Sequence, residues 1–240
     1  MDRLRRILRE GMASLGVHLE GDQEEKILAF VQLLHRTNAR YNLTGFASEE
    51  EILIEGVLDS LTACTLSDIL EASQSLIDVG TGGGIPGIPL KIAHPPMQLT
   101  LLEATAKKCH FLEEATRILE LEGVQVLCGR AETVAHDPAF REQYALATAR
   151  ALGELREILE LTIPFIQPGG FALYYKGRNV HREIEEAQNA LGILKSTIVA
   201  LRDIPIPCGS RKTTLVLVRK EAPTPPQYPR RPGIPKKRPL

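Results

Sequence analysis

The segment SLIDVGTGGGIPGIPL, at residues 75–90, most constrains the fold of this chain. An apolar run at 76–79 ends in the glycine-rich stretch 80–84, and Pro86 then opens a second apolar segment. This pattern predicts a strand, a tight turn and the start of a helix. Glycines in such a turn let a ligand lie against the bare backbone, because no Cβ stands in the way. The segment therefore predicts a nucleotide-like ligand.

Two ligand motifs fit the same letters. The first is D-x-G-x-G-x-G, formed by Asp78, Gly80, Gly82 and Gly84. The second is G-x-G-x-x-G, the dinucleotide fingerprint, formed by Gly82, Gly84 and Gly87. The loop therefore indicates an adenosine-containing ligand more firmly than it indicates which one.

Length and composition exclude several classes of protein. The 240 residues suit one α/β domain with an extension, or at most two small domains. No run of about 18 apolar residues occurs, and the N-terminus lacks the apolar core of a signal peptide. The four cysteines are widely spaced without a C-x-x-C pair, so neither a zinc site nor a disulfide framework is expected. We expect no metal, no membrane association and a reducing, cytoplasmic setting. The sequence does not fix the oligomeric state, and a monomer is the working expectation.

Basic residues cluster at the two ends of a chain whose net charge is only −1. Residues 222–240 contain five basic and no acidic side chains, and four arginines lie within residues 1–9. Such clusters favour a local polyanion site. Charge alone fits equally well with two solvated ends.

The chain divides into regions of different periodicity. Residues 1–70 carry apolar side chains at helical spacing, and Ser48 with Glu51 resembles a capping box. From residue 75 strand and helix patterns alternate, which predicts βαβ units and a parallel sheet with right-handed crossovers. The predicted strands are 76–79, 98–102, 124–128, 144–148, 171–175, 197–201 and 214–218. The predicted helices between them are 86–93, 106–121, 154–163 and 181–194.

The last two predicted strands are joined by a loop, which predicts an antiparallel hairpin at the edge of the sheet. The fold class is therefore α/β, with a mostly parallel seven-stranded sheet that contains one reversed strand. The proline-rich end predicts a tail that is extended or loosely docked. We divide the chain into a helical region 1–70, an α/β core 71–221 and a basic tail 222–240.

Polar side chains follow three of the predicted strands. Glu103 ends the second strand, beside the glycine turn, where a carboxylate can accept both hydroxyls of an adenosine ribose. Ala131 and Glu132 follow the third strand, where they could flank an adenine ring and its exocyclic amine. Arg150 follows the fourth strand; it cannot act as a base, but it can hold a carboxylate or a phosphate.

No convincing pair of nucleophile and base emerges from the sequence, so no catalytic residue is assigned. Cys208 follows Pro207, a dipeptide that some cytosine-C5 methyltransferases use, but it lies in the predicted hairpin. The six histidines show no metal-type or triad clustering. Methyl transfer from a sulfonium to a ring nitrogen with a free lone pair requires no prior proton abstraction. This reaction needs a cofactor cradle and a surface that holds RNA.

Several motifs now occur together in the order of one family. They are DVGTGGGIPGIPL, Asn42-Leu43-Thr44, Leu58-Asp59-Ser60-Leu61, Gly129-Arg130-Ala131-Glu132, Ala149-Arg150-Ala151 and the ending YPRRPGIPKKRPL. From about residue 25 to its end, the chain resembles the bacterial small-subunit rRNA guanine-N7 methyltransferases, also called glucose-inhibited division protein B. The resemblance implies a class I methyltransferase fold with a Rossmann-like core and an N-terminal helical cap. It also implies S-adenosylmethionine as the methyl donor and one guanosine of 16S rRNA, in the small ribosomal subunit, as the acceptor.

The resemblance also implies a set of cofactor contacts. The ribose would be held by Glu103, Ala104 and Thr105, and the adenine by Ala131 and Glu132. The remaining contacts that it implies fall at Gly80, Ile85 and Arg150. The glycine motif itself adds Asp78, Gly82 and Gly84, which we expect to hold the methionine end of the cofactor and the turn. Two departures from the family pattern are Gly56, where a histidine is frequent, and Ala149, where a serine is usual.

Two rival functions stay open at this point. A nicotinamide-dependent oxidoreductase would use Gly82, Gly84 and Gly87, but no Tyr-Lys or His-Asp constellation supplies its catalytic half. An RNA-binding module that keeps a relic cofactor fold is the non-enzymatic alternative, although the intact Asp78, Glu103 and Arg150 argue against decay.

Overall fold

A seven-stranded sheet organises the structure, a computed structural model that describes residues 2–240. Its strands are β1 (Ser75–Val79), β2 (Gln98–Glu103), β3 (Val124–Cys128), β4 (Tyr144–Arg150), β5 (Ile166–Lys176), β6 (Ser196–Pro205) and β7 (Lys212–Lys220). Their spatial order is β3-β2-β1-β4-β5-β7-β6. Strands β1 to β5 pair in parallel, whereas β7 runs antiparallel to β5 and β6. The predicted mostly parallel sheet, with one reversed strand in an edge hairpin, is confirmed.

Short and long helices form the N-terminal region and cover both faces of the sheet. Before β1 lie α1 (Asp2–Leu15), α2 (Gly21–Tyr41), α3 (Glu49–Glu51), a π-helix (Ile52–Leu58), α4 (Asp59–Leu61), a 3₁₀ helix (Thr62–Leu66) and α5 (Ser67–Ala72). Within and after the sheet lie α6 (Gly87–Ala93), α7 (Ala106–Ile118), α8 (Ala131–Val134), α9 (Leu155–Thr162), a 3₁₀ helix (Ile163–Phe165), α10 (Val180–Glu186), α11 (Gln188–Ile193) and α12 (Ile234–Lys237). Within residues 2–240, every helix is too short or too polar to span a bilayer.

Alternate residues of each central strand serve two separate apolar cores. Leu76 of β1 packs in the cluster that contains the apolar faces of α1, α2, α6 and α7, whereas its neighbour Ile77 packs in the cluster of α9 and α11. Both faces of β1 are therefore buried, as expected for a parallel sheet covered by crossover helices. The N-terminal helices share the first core with the sheet, and α2 packs against α6 and α7.

A buried hydrogen bond joins the N-terminal helices to the centre of the sheet. The hydroxyl of Tyr175, on β5, donates to the carbonyl oxygen of Ser60 at 2.7 Å. Tyr175 is 6% exposed and Ser60 is fully buried, so water cannot replace either partner. This contact fixes the LDSL segment over the carboxyl ends of the strands.

The C-terminal tail is firmly docked, which corrects the prediction of a loose one. Glu160, on α9, is fully buried and receives hydrogen bonds from the guanidinium and the backbone N–H of Arg230. A buried carboxylate without a cation would be costly, so this pair requires the tail to stay in place. Arg141 adds hydrogen bonds to the carbonyl oxygens of Thr224 and Tyr228.

Two local predictions also need correction. The helix predicted at 181–194 is broken at Ala187 into α10 and α11. Ser48 does cap α3 by accepting from the backbone N–H of Glu51, but the Glu51 carboxylate accepts from Ala47 instead of returning to Ser48. The capping box is therefore shifted by one residue on its return bond.

We expect Tyr175→Phe to lower the free energy of unfolding by about 1–3 kcal/mol, because it leaves the buried Ser60 carbonyl without a donor. Urea denaturation measures this change. Tyr41→Phe is the matched control, since Tyr41 is 40% exposed, and it should change stability very little. Equal stability of both variants would show that the Ser60 contact contributes nothing.

Candidate functional site: the carboxyl edge of the sheet

The buried carboxylate of Asp78, on β1, stabilises the glycine turn that follows this strand. Oδ2 of Asp78 accepts from the hydroxyl of Thr81 at 2.6 Å and from the backbone N–H of Gly87 at 2.8 Å. Asp78 is fully buried, and its Oδ1 has no partner within residues 2–240. Burial raises the pKa of Asp78 to about 7, although the two hydrogen bonds oppose the rise. Asp78 therefore lies on the buried side of the turn and supports its backbone, and its contact with a cofactor stays a prediction.

The conformation of the turn explains its glycines. Gly80 has φ +70°, and a Cβ there would lie 2.5 Å from a methyl carbon of Leu152. Gly82 has φ +61°, and a Cβ there would lie 3.8 Å from the carbonyl oxygen of Leu43 without a clash. L-residues with a side chain rarely adopt this conformation. The turn thus presents bare backbone toward the edge of the sheet.

Glu103 connects the end of β2 to the glycine turn. Its Oε2 accepts from the backbone N–H of Gly82 at 3.0 Å, and its Oε1 accepts from the N–H of Thr105 at 2.9 Å. Glu103 is 7% exposed. Each carboxylate oxygen has more than one acceptor position, so both can still take a hydrogen bond from a ligand.

Two cavities meet at the glycine turn. The first, of about 220 Å³, lies over the carboxyl ends of β1, β2 and β3. Among its lining residues are the predicted Gly80, Ala104, Ala131 and Glu132. The second, of about 390 Å³, lies between the turn and the loop 43–46. Its lining includes the predicted Gly80, Gly82, Ile85 and Arg150. Gly80 lines both cavities, so together they are a candidate site for one elongated ligand.

Arg150 separates the second cavity from a third. Its guanidinium forms an ion pair with Oδ2 of Asp59 at 2.9 Å, donates to the carbonyl oxygen of Glu55 and lies 5.8 Å from the ring centre of Phe46. Burial raises the pKa of Asp59, and the charge of Arg150 opposes that rise. The guanidinium is thereby fixed at the end of β4, where it borders both spaces.

The third cavity, of about 660 Å³, lies beyond Arg150 at the ends of β4 and β5 and the start of β7. Five cationic side chains line it, namely Arg150, Lys176, Arg178, Arg211 and Lys212. Four of them are in ion pairs: Arg150 with Asp59, Lys176 with Glu183, Arg211 with Glu55 and Lys212 with Asp203. Arg178 is exposed and forms no ion pair with any residue in 2–240. This opening is therefore suited to an anionic ligand.

The structure brings most of the predicted contact residues to one edge of the sheet, but not all. Gly84 lines neither of the first two cavities, and a Cβ there would lie 2.5 Å from a methyl carbon of Ile88, so glycine allows close packing at this position. Its contact with a cofactor stays a prediction. Glu103 and Thr105 adjoin Ala104, but neither of them lines the first or the second cavity. Cys208 lies against α1, 3.7 Å from the carbonyl oxygen of Ile7, and burial raises its thiol pKa. In the described chain, no three His, Cys, Asp or Glu side chains converge to hold a metal ion.

Sequence reasoning missed three parts of this edge. They are the loop 43–46 with its aromatic Phe46, the side chain of Leu152 behind Gly80, and residues Gly233, Pro235 and Lys236 of the tail. The ending YPRRPGIPKKRPL indicated a family resemblance and a basic, proline-rich tail, but not this wall of the first cavity. Its single glycine after a run of prolines was the available sign of a specific turn, since Gly233 has φ +81°.

Comparison with known proteins identifies relatives over nearly the whole chain. The family model described as GidB, rRNA small subunit methyltransferase G, matches residues 23–204. A protein of Symbiobacterium thermophilum named ribosomal RNA small subunit methyltransferase G is 42% identical, with 98% of each chain covered. One of the same name from Alkaliphilus metalliredigens is 38% identical, again with 98% of each chain covered. A solved O-methyltransferase from Bacillus cereus, in complex with SAH, is 15% identical with a TM-score of 0.56, covering 80% of this chain and 91% of its own. That likeness shows the fold, which is the class I methyltransferase fold expected from the resemblance.

We expect Asp78→Asn to flatten the dependence of stability on pH. Because the folded pKa of Asp78 is raised from 3.8 to about 7, its contribution favours the folded state at low pH and is lost as pH rises from about 4 to about 7. Asparagine keeps an acceptor for Thr81 and Gly87 but cannot ionise. The variant should be roughly 1–4 kcal/mol more stable than the wild type at pH 8.

Denaturation at about pH 4.5 and at about pH 8, near the lower and above the upper pKa of Asp78, measures this difference. Asp68→Asn is the control, since Asp68 is exposed and should leave the pH profile unchanged. An Asp78→Asn profile parallel to that of the wild type would contradict a raised pKa of Asp78 in the folded state.

Proposed function

This chain belongs to the rRNA small subunit methyltransferase G family, and on that premise we propose that it methylates N7 of a guanosine in 16S rRNA of the small ribosomal subunit. S-adenosylmethionine is the proposed methyl donor. The observation that carries the proposal is that two cavities meet at Gly80, and that the first of them lies next to Glu103. We further propose that the enzyme acts in the cytoplasm as a monomer.

The residues at the glycine turn fit an adenosine. Both oxygens of Glu103 are oriented by backbone N–H groups and keep free acceptor positions, as two ribose hydroxyls require. Ala131 leaves space for a planar ring, and Glu132 offers a carboxylate oxygen to an exocyclic amine. The open backbone of Gly80 and Gly82 and the guanidinium of Arg150 would hold the methionine portion in the second cavity.

The proposed chemistry places few demands on the protein. When bound, S-adenosylmethionine supplies an electrophilic methyl group on its sulfonium. N7 of guanine carries a free lone pair, so no side chain has to remove a proton before attack. The protein instead aligns donor and acceptor, and good alignment is worth about 7–11 kcal/mol of activation free energy.

The third cavity supports the binding of the target nucleotide. It adjoins the methionine portion across Arg150, and its lining of cationic side chains complements phosphate groups. Lys212 and Arg211 are both more than half exposed and lie at its rim. Both are paired with exposed or partly exposed carboxylates, whereas the tail residue Arg230 is held by the fully buried Glu160. We therefore assign the phosphate contacts to the rim of the third cavity and not to Arg230.

We expect Glu103→Ala to weaken binding of S-adenosylmethionine by roughly ten- to a hundredfold, because a hydrogen bond to a charged acceptor contributes about 1.5–3 kcal/mol. Isothermal titration calorimetry measures the affinity. Glu113→Ala, on the exposed side of α7, is the control and should bind as the wild type does. Unchanged affinity of Glu103→Ala would refute the ribose assignment.

Titration of the wild type with NAD, and an assay of labelled methyl transfer to small ribosomal subunits, separate the proposal from its rivals. Binding of NAD rather than S-adenosylmethionine would support an oxidoreductase. Binding of RNA without methyl transfer would support a non-enzymatic RNA-binding module.

We expect Arg178→Ala to weaken RNA binding and to reduce the slope of log affinity against log salt by roughly 0.7–0.9, the value of one phosphate contact. Filter binding at several salt concentrations measures the slope. Arg117→Ala, at the exposed end of α7 away from the cavities, should leave it unchanged. A slope that Arg178→Ala does not alter would remove this arginine from the phosphate surface.

A further inference from the structure

One wall of the first cavity comes from the C-terminal tail, beyond the residues matched by the family model. Gly233, Pro235 and Lys236 line this cavity opposite Gly80 and Ala104. The other walls come from the ends of β1, β2 and β3 and from α9. Without residues 233–236, the proposed adenosine site would be open on this side.

The tail is anchored strongly enough to form a fixed wall. Arg230 binds the fully buried Glu160 through both carboxylate oxygens, at 2.9 Å and 2.6 Å. His136 contacts the carbonyl oxygen of Pro229 at 2.7 Å. Pro235 is itself buried. Breaking a buried pair is costly because one charge is left without a partner, so this arrangement resists opening.

The tail also orients a residue that the cofactor is proposed to contact. The backbone N–H of Gly233 donates to Oε1 of Glu132 at 2.9 Å, and Glu132 lines the cavity. Lys236 and Glu157 both line this cavity. Burial raises the pKa of Glu157, and the positive charge of Lys236 opposes that rise. The tail therefore sets both the shape and the electrostatics of the adenine end.

We propose that tail residues Gly233, Pro235 and Lys236 are part of the S-adenosylmethionine site and that they close it over the adenine. The proposal rests on the proposed function, because it assumes that the first cavity takes the adenosine. Binding and tail docking are then coupled, and the coupling is reciprocal: the docked tail raises cofactor affinity, and the bound cofactor holds the tail down.

Pro235→Glu tests the wall directly, since it places a charged side chain at a buried position that lines the cavity. We expect the dissociation constant for S-adenosylmethionine, measured by calorimetry without RNA, to rise at least about tenfold. Pro232→Glu is the matched control, because Pro232 is exposed, lies three residues earlier and does not line the cavity. It should bind as the wild type does. Equal affinity of the two variants would overturn the proposal.

Limited trypsin digestion of the unaltered chain provides a second test that depends on no variant folding correctly. The tail contains cleavable bonds at Arg230–Arg231 and Lys236–Lys237. Saturating S-adenosylmethionine should slow their cleavage several-fold, because the bound form has a more firmly docked tail. An unchanged rate would overturn the proposal. Failure of the wild type to bind S-adenosylmethionine would instead refute the proposed function, so the two failures are distinguishable.

Discussion

The hydrogen bonds of Glu103 to two backbone N–H groups are the constraint on which the site depends. One joins the carboxylate to Gly82 in the turn after β1, and the other joins it to Thr105 at the start of α7. Neighbouring parallel strands bring these segments to one edge, but the carboxylate fixes their distance. Each of its two oxygens accepts one backbone hydrogen bond and keeps a second acceptor position. One side chain therefore stabilises the turn and remains available to a ligand.

The carboxylates at this edge differ in burial, and each of them stabilises a different part of the site. Asp78 is sealed beneath the turn, with a pKa raised to about 7, and supports the backbone from below. Asp59 is nearly buried and fixes Arg150 between the second and third cavities. Glu132 is partly exposed and is oriented by the tail. Asp78 thus supports the glycine turn from its buried side, and Asp59 positions Arg150.

The three cavities follow one another along the carboxyl edge. The first lies over β1 to β3, the second lies at the turn, and the third lies beyond Arg150 over β4, β5 and β7. This order suits a donor whose reactive portion is next to the acceptor. The reversed strand β7 contributes Lys212 and Thr213 to the third cavity because its N-terminal end reaches the edge where the parallel strands end.

The sequence by itself determined three features: a strand followed by a glycine turn, the alternation of strands and helices, and a mostly parallel sheet. These features are local, because glycine tolerance of positive φ and apolar periodicity act within a few residues. The positions of Glu103, Glu132 and Arg150 could also be predicted, since each follows a strand whose end lies at a known edge. Only the tertiary structure decided that Asp78 is buried, that Phe46 and Leu152 back the site, and that the tail is docked. Those contacts join residues far apart in the chain, such as Glu160 with Arg230, and neither partner alone reveals the other.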